Sequence, residues 1–448
     1  MNLVFLIEQG KLVDIQNWYT EDPNVLITNC HLAIACSNGR LELAQWLLLI
    51  KPSINISAEN ESAFCGACKN GHLELAQWLL SIKPSINISA KNEEAFRCAC
   101  KNGHLELAQW LLTIKPSINI STADEYAFRY ACKNGRLEVV QWLFSIKPSI
   151  NISVDDEEAF RVACSNGHFE VAQWLFSIKP SINISAENEE AFRYACEKGH
   201  LEIAQWLLSI KPDINISAND DQAFRYTCFC GQLAVAKWLL SIKPSINISA
   251  DDEHAFRHAC TMGHLEVAQW LLSIKPDINI SAENEFAFRF ACGNGRLAVA
   301  QWLWSIKPDI NISATDDQVF RYACKNGQLA VAQWLWSIKP NINISATDEF
   351  AFKYACKNNR LEVAQWLQSI LPYGYYYTFE YDDQSNVITS WSTTKINYKA
   401  IKHKLDKIYL GSDICFREAL ARECFHPKNM DKWIGWGQED DTEFVGME

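Results

Sequence analysis

The sequence predicts an all-α fold: a solenoid of about 11 helical hairpins with a 32-residue period, followed by a small, mostly helical C-terminal region. The unit F-x-x-A-C-x-N-G-x-L-E-x-A-Q-W-L-x-S-I-K-P-x-I-N-I-S recurs without change of spacing, so that a column of tryptophans runs from Trp46 to Trp366. Within each unit the apolar residues follow helical three- and four-residue spacing, with glycine and proline at fixed points between the periodic stretches. A fixed period in this range means one supersecondary unit stacked on copies of itself. Near-identical copies do not bring a different acid, base and nucleophile to one pocket, so the pattern argues against an enzyme.

Residues 1–29 contain Gly10-Lys-Leu12 and the run Val13 to Trp18, a degenerate copy out of register with the array, and read as an N-terminal capping repeat. The segment Met1 to Glu8 has no basic stretch and its apolar run stops at Glu8, unlike a secretory leader. No stretch approaches the roughly 18 apolar residues that cross a bilayer. A cytoplasmic protein without membrane contact is therefore expected, and the ten Asn-Ile-Ser sequons from Asn55 to Asn343 read as loop spelling, not sugar sites.

Residues 30–372 form the array, and residues 157–188 show its elements. Glu157 and Glu158 lead into Ala159 to Cys164, a first helix of about two turns with acids at its positive end. Gly167 supplies the positive φ that ends it. From His168, the residues Phe169, Val171, Ala172, Leu175, Phe176 and Ile178 define a second helix with Trp174 at the edge of its apolar stripe. That helix stops before Pro180, because proline disfavours helical geometry in the preceding residue. Ser181 to Asn188 read as an exposed loop or poor hairpin. In the last unit Asn359 stands where the glycine belongs, and asparagine is the next best residue for that conformation.

Residues 373–448 form a C-terminal cap or interaction module. The aromatic run Tyr373 to Phe379 gives way to polar sequence until about residue 394. Two helix-like stretches follow, one with Ile401, Leu405, Ile408 and Tyr409 on a face, the other with Phe416, Ala419, Leu420 and Cys424.

Composition agrees with an ordered, protein-binding body. The chain is 48% hydrophobic with 18 glycines and 13 prolines, enough to bury a continuous core. A net charge of −12 disfavours nucleic acid, whose binding relies on clustered cations, and favours a protein partner with a basic or neutral surface. Of 17 cysteines, eleven occupy one column from Cys36 to Cys356. Stacked helices lie about 8–10 Å apart, too far for disulfides, and a ladder of single thiols offers no tetrahedral zinc set. No cofactor or metal is called for, and a monomer is expected.

The order F-R-x-A-C-x-N-G-H-L-E-V-A-Q-W-L-L resembles the ankyrin repeat. Phe160 and Arg161 match the family's Leu-His, Ala163 and Cys164 its paired alanines, Gly167 and His168 its Gly-His, and Asn183 its loop asparagine. The resemblance implies an ankyrin-type solenoid that binds a protein on its concave face. Glu158-Ala159 replaces the family's Thr-Pro, and the unit is one residue shorter than usual, so a blunter finger between repeats is expected. The wording A-Q-W-L-L-S-I-K-P-x-I-N-I-S also resembles ankyrin proteins encoded by giant DNA viruses, which implies a host protein as partner. An alternative is a ubiquitin-ligase substrate adaptor, with an F-box-like element within residues 396–437 recruiting the ligase, although the usual Leu-Pro opening followed by an acid is absent.

In such stacks partners sit on loop tips, first-helix surfaces and the two residues before the joining glycine. Most repeats carry Lys-Asn or Ser-Asn there, which reads as a solvated turn. Glu197-Lys198, Phe229-Cys230 and Thr261-Met262 break the spelling and, with His254 and His258 one helical turn apart, form the candidate protein-binding patch. The arginine column from Arg97 to Arg321 faces the loop acids and reads as pairing between repeats, and Tyr194, Tyr226, Phe290 and Tyr322 beside it read as core.

Overall fold

The computed structural model describes residues 3–21, 26–312, 314–339, 342, 346–370, 375–381 and 388–395. Among them are 24 helices and two strands. They divide into two compact units, one of Met1–Thr227 with Ala234–Ile246, the other of Cys228–Leu233 with Asn247–Glu448. In each unit helical hairpins stack side by side, first helix on first helix. The chain opens with a short hairpin, Leu3–Gln9 and Leu12–Glu21, turned at Gly10 with φ +68° and burying Leu6, Ile7 and Ile15. None of the described helices is long and apolar enough to cross a membrane.

In the repeat Val154–Ile178, the joining glycine Gly167 takes φ +85° as the sequence predicts, and Asn359 takes φ +56° in the last unit. Glycine is needed there twice over. A Cβ on Gly71 would collide with the ring of His104 from the following repeat, and one on Gly135 with His168. The second helix, Phe169–Ile178, ends before Pro180 as expected.

The first helix holds a surprise. Its initial residues are left-handed: Asp155, Asp156 and Glu157 have φ of 51°, 51° and 65°, and the same three positions are left-handed in eight successive repeats from Glu59–Glu61 to Glu283–Glu285. Ordinary L-residues cost about 1–2 kcal/mol each in this region, asparagine and aspartate less. The middle residue is Asn or Asp every time, from Asn60 and Asn92 to Asp252 and Asn284. Only from Glu158 is the helix right-handed, which gives the two turns expected. This compact left-handed turn takes the place of a projecting finger.

The third residue of the turn, an acid in each of these repeats, does more than face the helix dipole. Glu157, Glu189 and Glu253 are buried. Ser185 Oγ donates to Glu189 Oε1 at 2.7 Å, and the backbone N–H of Asn215 donates to the same oxygen at 3.3 Å. The carboxylate thus ties the start of the first helix to the loop that leaves the second. At Glu157 the ammonium of Lys179 adds an ion pair at 3.3 Å.

The core is a set of repeated columns. Phe160, Ala163, Cys164, Ala172 and Leu175 are fully buried, and a fully buried phenylalanine stabilises by about 1.5–3 kcal/mol. Such rings meet the tryptophan of the next hairpin: Phe160 and Trp206 are 6.1 Å apart between centroids, Phe256 and Trp302 6.2 Å. The cysteine column is buried and unbridged among the described residues, and burial pushes the Cys36 thiol up to about 12.

After the array the chain forms an antiparallel pair, Tyr375–Tyr381 with Ile388–Lys395, in which Tyr376 faces Thr394 and Phe379 faces Trp391. The sequence reading treated this stretch as an aromatic run and polar connection; alternating aromatic and β-branched residues are what a pleated pair accepts. The two helix-like stretches and the ligase-docking segment expected beyond it lie outside the described residues.

Candidate functional site

The outward surface of the first helices is built around the arginine column. Arg161 donates from Nε to the carbonyl oxygen of Asp156 at 2.8 Å and from Nη2 to that of Asp155 at 2.7 Å, capping the left-handed turn of its own repeat. Arg97, Arg129, Arg193, Arg225 and Arg257 place Nε in the same way, at 2.6–2.9 Å. The remaining edge of these guanidinium groups reaches the next repeat, and what it meets varies with the residue 29 positions on; Arg129 adds Asp155 at 2.8 Å. Arg129 and Arg161 pair with Glu158 and Glu190. Arg193 donates to Gln222 Oε1 at 2.7 Å. Arg97, Arg257 and Arg321 lie over the rings of Tyr126, Phe286 and Phe350 at 4.6, 4.9 and 5.1 Å. The pairing between repeats read from the sequence is with acids at Arg129 and Arg161; Arg193 meets a glutamine and Arg97, Arg257 and Arg321 meet rings, and carbonyl capping is added.

The turn before the joining glycine is more than solvated backbone. Asn102 Nδ2 donates to the carbonyl oxygen of Lys69 in the preceding repeat at 2.6 Å, and Asn134 to that of Lys101 at 2.9 Å. His72 Nε2 shares the equivalent carbonyl, that of Ser37, with Asn70. Helix ends leave such carbonyls without helical partners, so each repeat caps the one before it.

The candidate patch is only partly what the sequence suggested. Thr261 is buried and its hydroxyl donates to the carbonyl oxygen of Arg257 at 2.9 Å, so it is not a contact residue. Phe229, Cys230 and Met262 are half-buried, not exposed. Glu197 is half-buried and its carboxyl is raised by burial, while Lys198 is exposed and donates to Asn166 Oδ1 at 2.8 Å. The two histidines belong to an aromatic cluster: the His254 and His258 rings are 4.1 Å apart, with Phe229 at 5.6 Å and Phe286 at 5.4 Å from His258. Among the described residues no three His, Cys, Asp or Glu side chains converge as a metal site.

That cluster continues along the second unit. Phe286 stacks on Phe290 at 4.2 Å, Phe350 on Tyr354 at 4.1 Å, and Tyr322 lies 6.1 Å from Phe350. Phe290 is 42% exposed and Tyr322 40%, which corrects their reading as core. Phe288 and Cys292 point inward, and the position between them necessarily faces out. Between Phe290 and Tyr322 opens a cleft of about 290 Å³, lined also by Arg289, Gly293, Gln318, Val319 and Asn326. The sequence reading missed it, although Gly293 carried a signal: it stands where other repeats have Lys69, Lys101 or Ser165, and its missing side chain opens the space.

A family model described as ankyrin repeats, in three copies, matches residues 31–124, 128–220, 192–284 and 224–316. The chain belongs to the ankyrin-repeat family. Ankyrin repeats of this kind serve as protein–protein interaction scaffolds and are typically non-catalytic. Among solved structures, the ankyrin repeat domain of human ASB11 is 18% identical, with 47% of this chain and 96% of that one covered and a TM-score of 0.35. An ankyrin repeat family protein of Legionella pneumophila is 21% identical over 60% of this chain and 86% of that one, with a TM-score of 0.30. No curated protein matches the chain.

Proposed function

We propose that this ankyrin-repeat chain is a non-catalytic scaffold that binds a partner protein on its first-helix face, the concave side of such stacks, in the region from His254 to Tyr354. The observation that carries this reading is the run of exposed and half-buried rings interleaved with cations. Aromatic side chains and arginines dominate the energetics of protein interfaces because they bury much area at little cost in conformational freedom. The face consists of helices fixed by the arginine and asparagine bonds between repeats, so little ordering cost attends binding. Phe229, His254 and His258 extend the face by ring contact. The giant-virus wording of the repeats supports a host cytoplasmic protein as the partner.

The test is capture by cross-linking and mass spectrometry with the full chain. Phe290→Glu combined with Tyr322→Glu should abolish capture at an unchanged melting temperature, whereas Gln301→Glu, exposed on the second helix, should leave it intact. Equal capture by both variants would remove the first-helix face from consideration.

A further inference from the structure

Resting on that reading, we infer that the cleft between Phe290 and Tyr322 is a specificity pocket for a partner segment that combines an aromatic side chain with an adjacent carboxylate.

Three independent observations converge on this chemistry. The first is space. At about 290 Å³ the cleft lies near the lower end of ligand pockets, which run from about 300 to 1,000 Å³. Phe290, Tyr322 and Val319 supply its apolar lining, Asn294, Gln318 and Asn326 its neutral polar lining, and Gly293 contributes only backbone. That is a slot for a flat apolar group.

The second is charge. Where Arg129 and Arg161 meet Glu158 and Glu190, Arg289 meets Gln318, whose Oε1 accepts from Nη1 at 3.1 Å. Its other bond, from Nη2 to the carbonyl oxygen of Glu283, is long at 3.4 Å. Both acceptors are neutral, and the cleft lining holds this one cation and no anion.

The third is an unmet donor. Arg289 Nε is buried and has no hydrogen-bond partner, whereas the same atom of six other arginines in the column donates to a backbone carbonyl. The half-buried guanidinium bonds only neutral acceptors among the described residues, and a carboxylate brought to the cleft by a ligand gives it a charge-assisted bond. Neither a plain apolar segment nor a basic one supplies that bond.

Two short fluorescein-labelled peptides test the assignment on the full chain by fluorescence anisotropy: Gly-Asp-Trp-Glu-Gly, and its neutral counterpart Gly-Asn-Trp-Gln-Gly. The acidic peptide should bind at least about tenfold more tightly, and a Gly-Asp-Ala-Glu-Gly control should lose about as much. Gly293→Lys, which installs the residue that Lys69 and Lys325 hold in other repeats, should abolish binding by filling the slot. Arg289→Gln should make the acidic and neutral peptides bind equally, an effect that misfolding does not produce. Equal binding of the two peptides to the unaltered chain, or binding unmoved by Gly293→Lys, overturns the assignment. If partner capture through the first-helix face survives while the peptides fail, only the pocket is wrong; if capture fails too, so does the scaffold reading.

Discussion

The guanidinium of Arg161 holds the carbonyl oxygen of Asp156 at 2.8 Å, five residues back along its own chain. That bond and its partner to Asp155 stabilise a left-handed turn which local preference opposes. Arg161→Lys keeps the charge but loses the planar fork, and should destabilise the chain by about 1–3 kcal/mol in urea melts. Asp156→Gly, relieving strain at φ +51°, should be neutral or mildly stabilising, and Asp156→Ala destabilising. The opposite order for the two Asp156 variants would show that the turn is not strained.

Met262 stands where Asn102 and Asn134 cap the preceding repeat. His264 already bonds the carbonyl oxygen of Phe229, as His72 does that of Ser37. Met262→Asn should therefore add a hydrogen bond to that carbonyl and stabilise by about 0.5–1.5 kcal/mol, while Asn102→Ala should cost a similar amount. Differential scanning calorimetry of both variants checks the pair.

Burial holds His104, His168, His200 and His264 below the ordinary histidine value of 6.5. Below that value the unfolded chain binds more protons than the folded one, so stability falls as pH drops through it toward the lower folded values. Glu197, raised by burial, acts in the opposite sense but nearer the carboxylate range. The melting temperature should thus decline between about pH 7.5 and 5.5. His168→Gln, a residue that Gln328 supplies at the same position, should make the decline shallower.

Thiol chemistry should separate the cysteines sharply. Cys30 is exposed, Cys98 and Cys230 are half-buried, and the column from Cys36 to Cys356 is buried, with its thiols raised by desolvation, Cys36 and Cys356 to about 12. Since thiolates react and thiols do not, among the described cysteines iodoacetamide should modify Cys30 first, Cys98 and Cys230 slowly, and the column only after unfolding. Peptide mass spectrometry reads each site, and labelling of Cys164 in the folded chain would contradict the packing described.

Much of this was written plainly in the sequence. The period, the two helices of each hairpin, the stop before Pro180 and the positive φ of Gly167 and Asn359 all follow from local chemistry. The left-handed turn was hidden because its three residues would each prefer another conformation; in the repeats from Arg97 to Arg257 the arginine five residues after the middle one bonds its carbonyl, and at Ser185 and Glu189 a serine–glutamate pair adds to that. The face was misjudged for a related reason. Phe290 and Tyr322 look like core by composition, and their exposure follows from the helix phase that buries Phe288 and Cys292 instead. The cleft depends on what two positions lack: a side chain at Gly293 and a negative charge at Gln318.

The bonds joining neighbouring hairpins link residues a constant distance apart, 29 for Arg161 and Glu190 and 33 for Asn102 and Lys69. Excising or inserting one 32-residue block inside a unit keeps the spacing of every surviving joint. Gene rearrangement can therefore lengthen or shorten such a chain by whole copies without redesigning a seam. Changes confined to the column of Glu158, Gln222, Phe286 and Gln318 then alter what each copy presents on its first-helix surface, so that length and surface chemistry change separately.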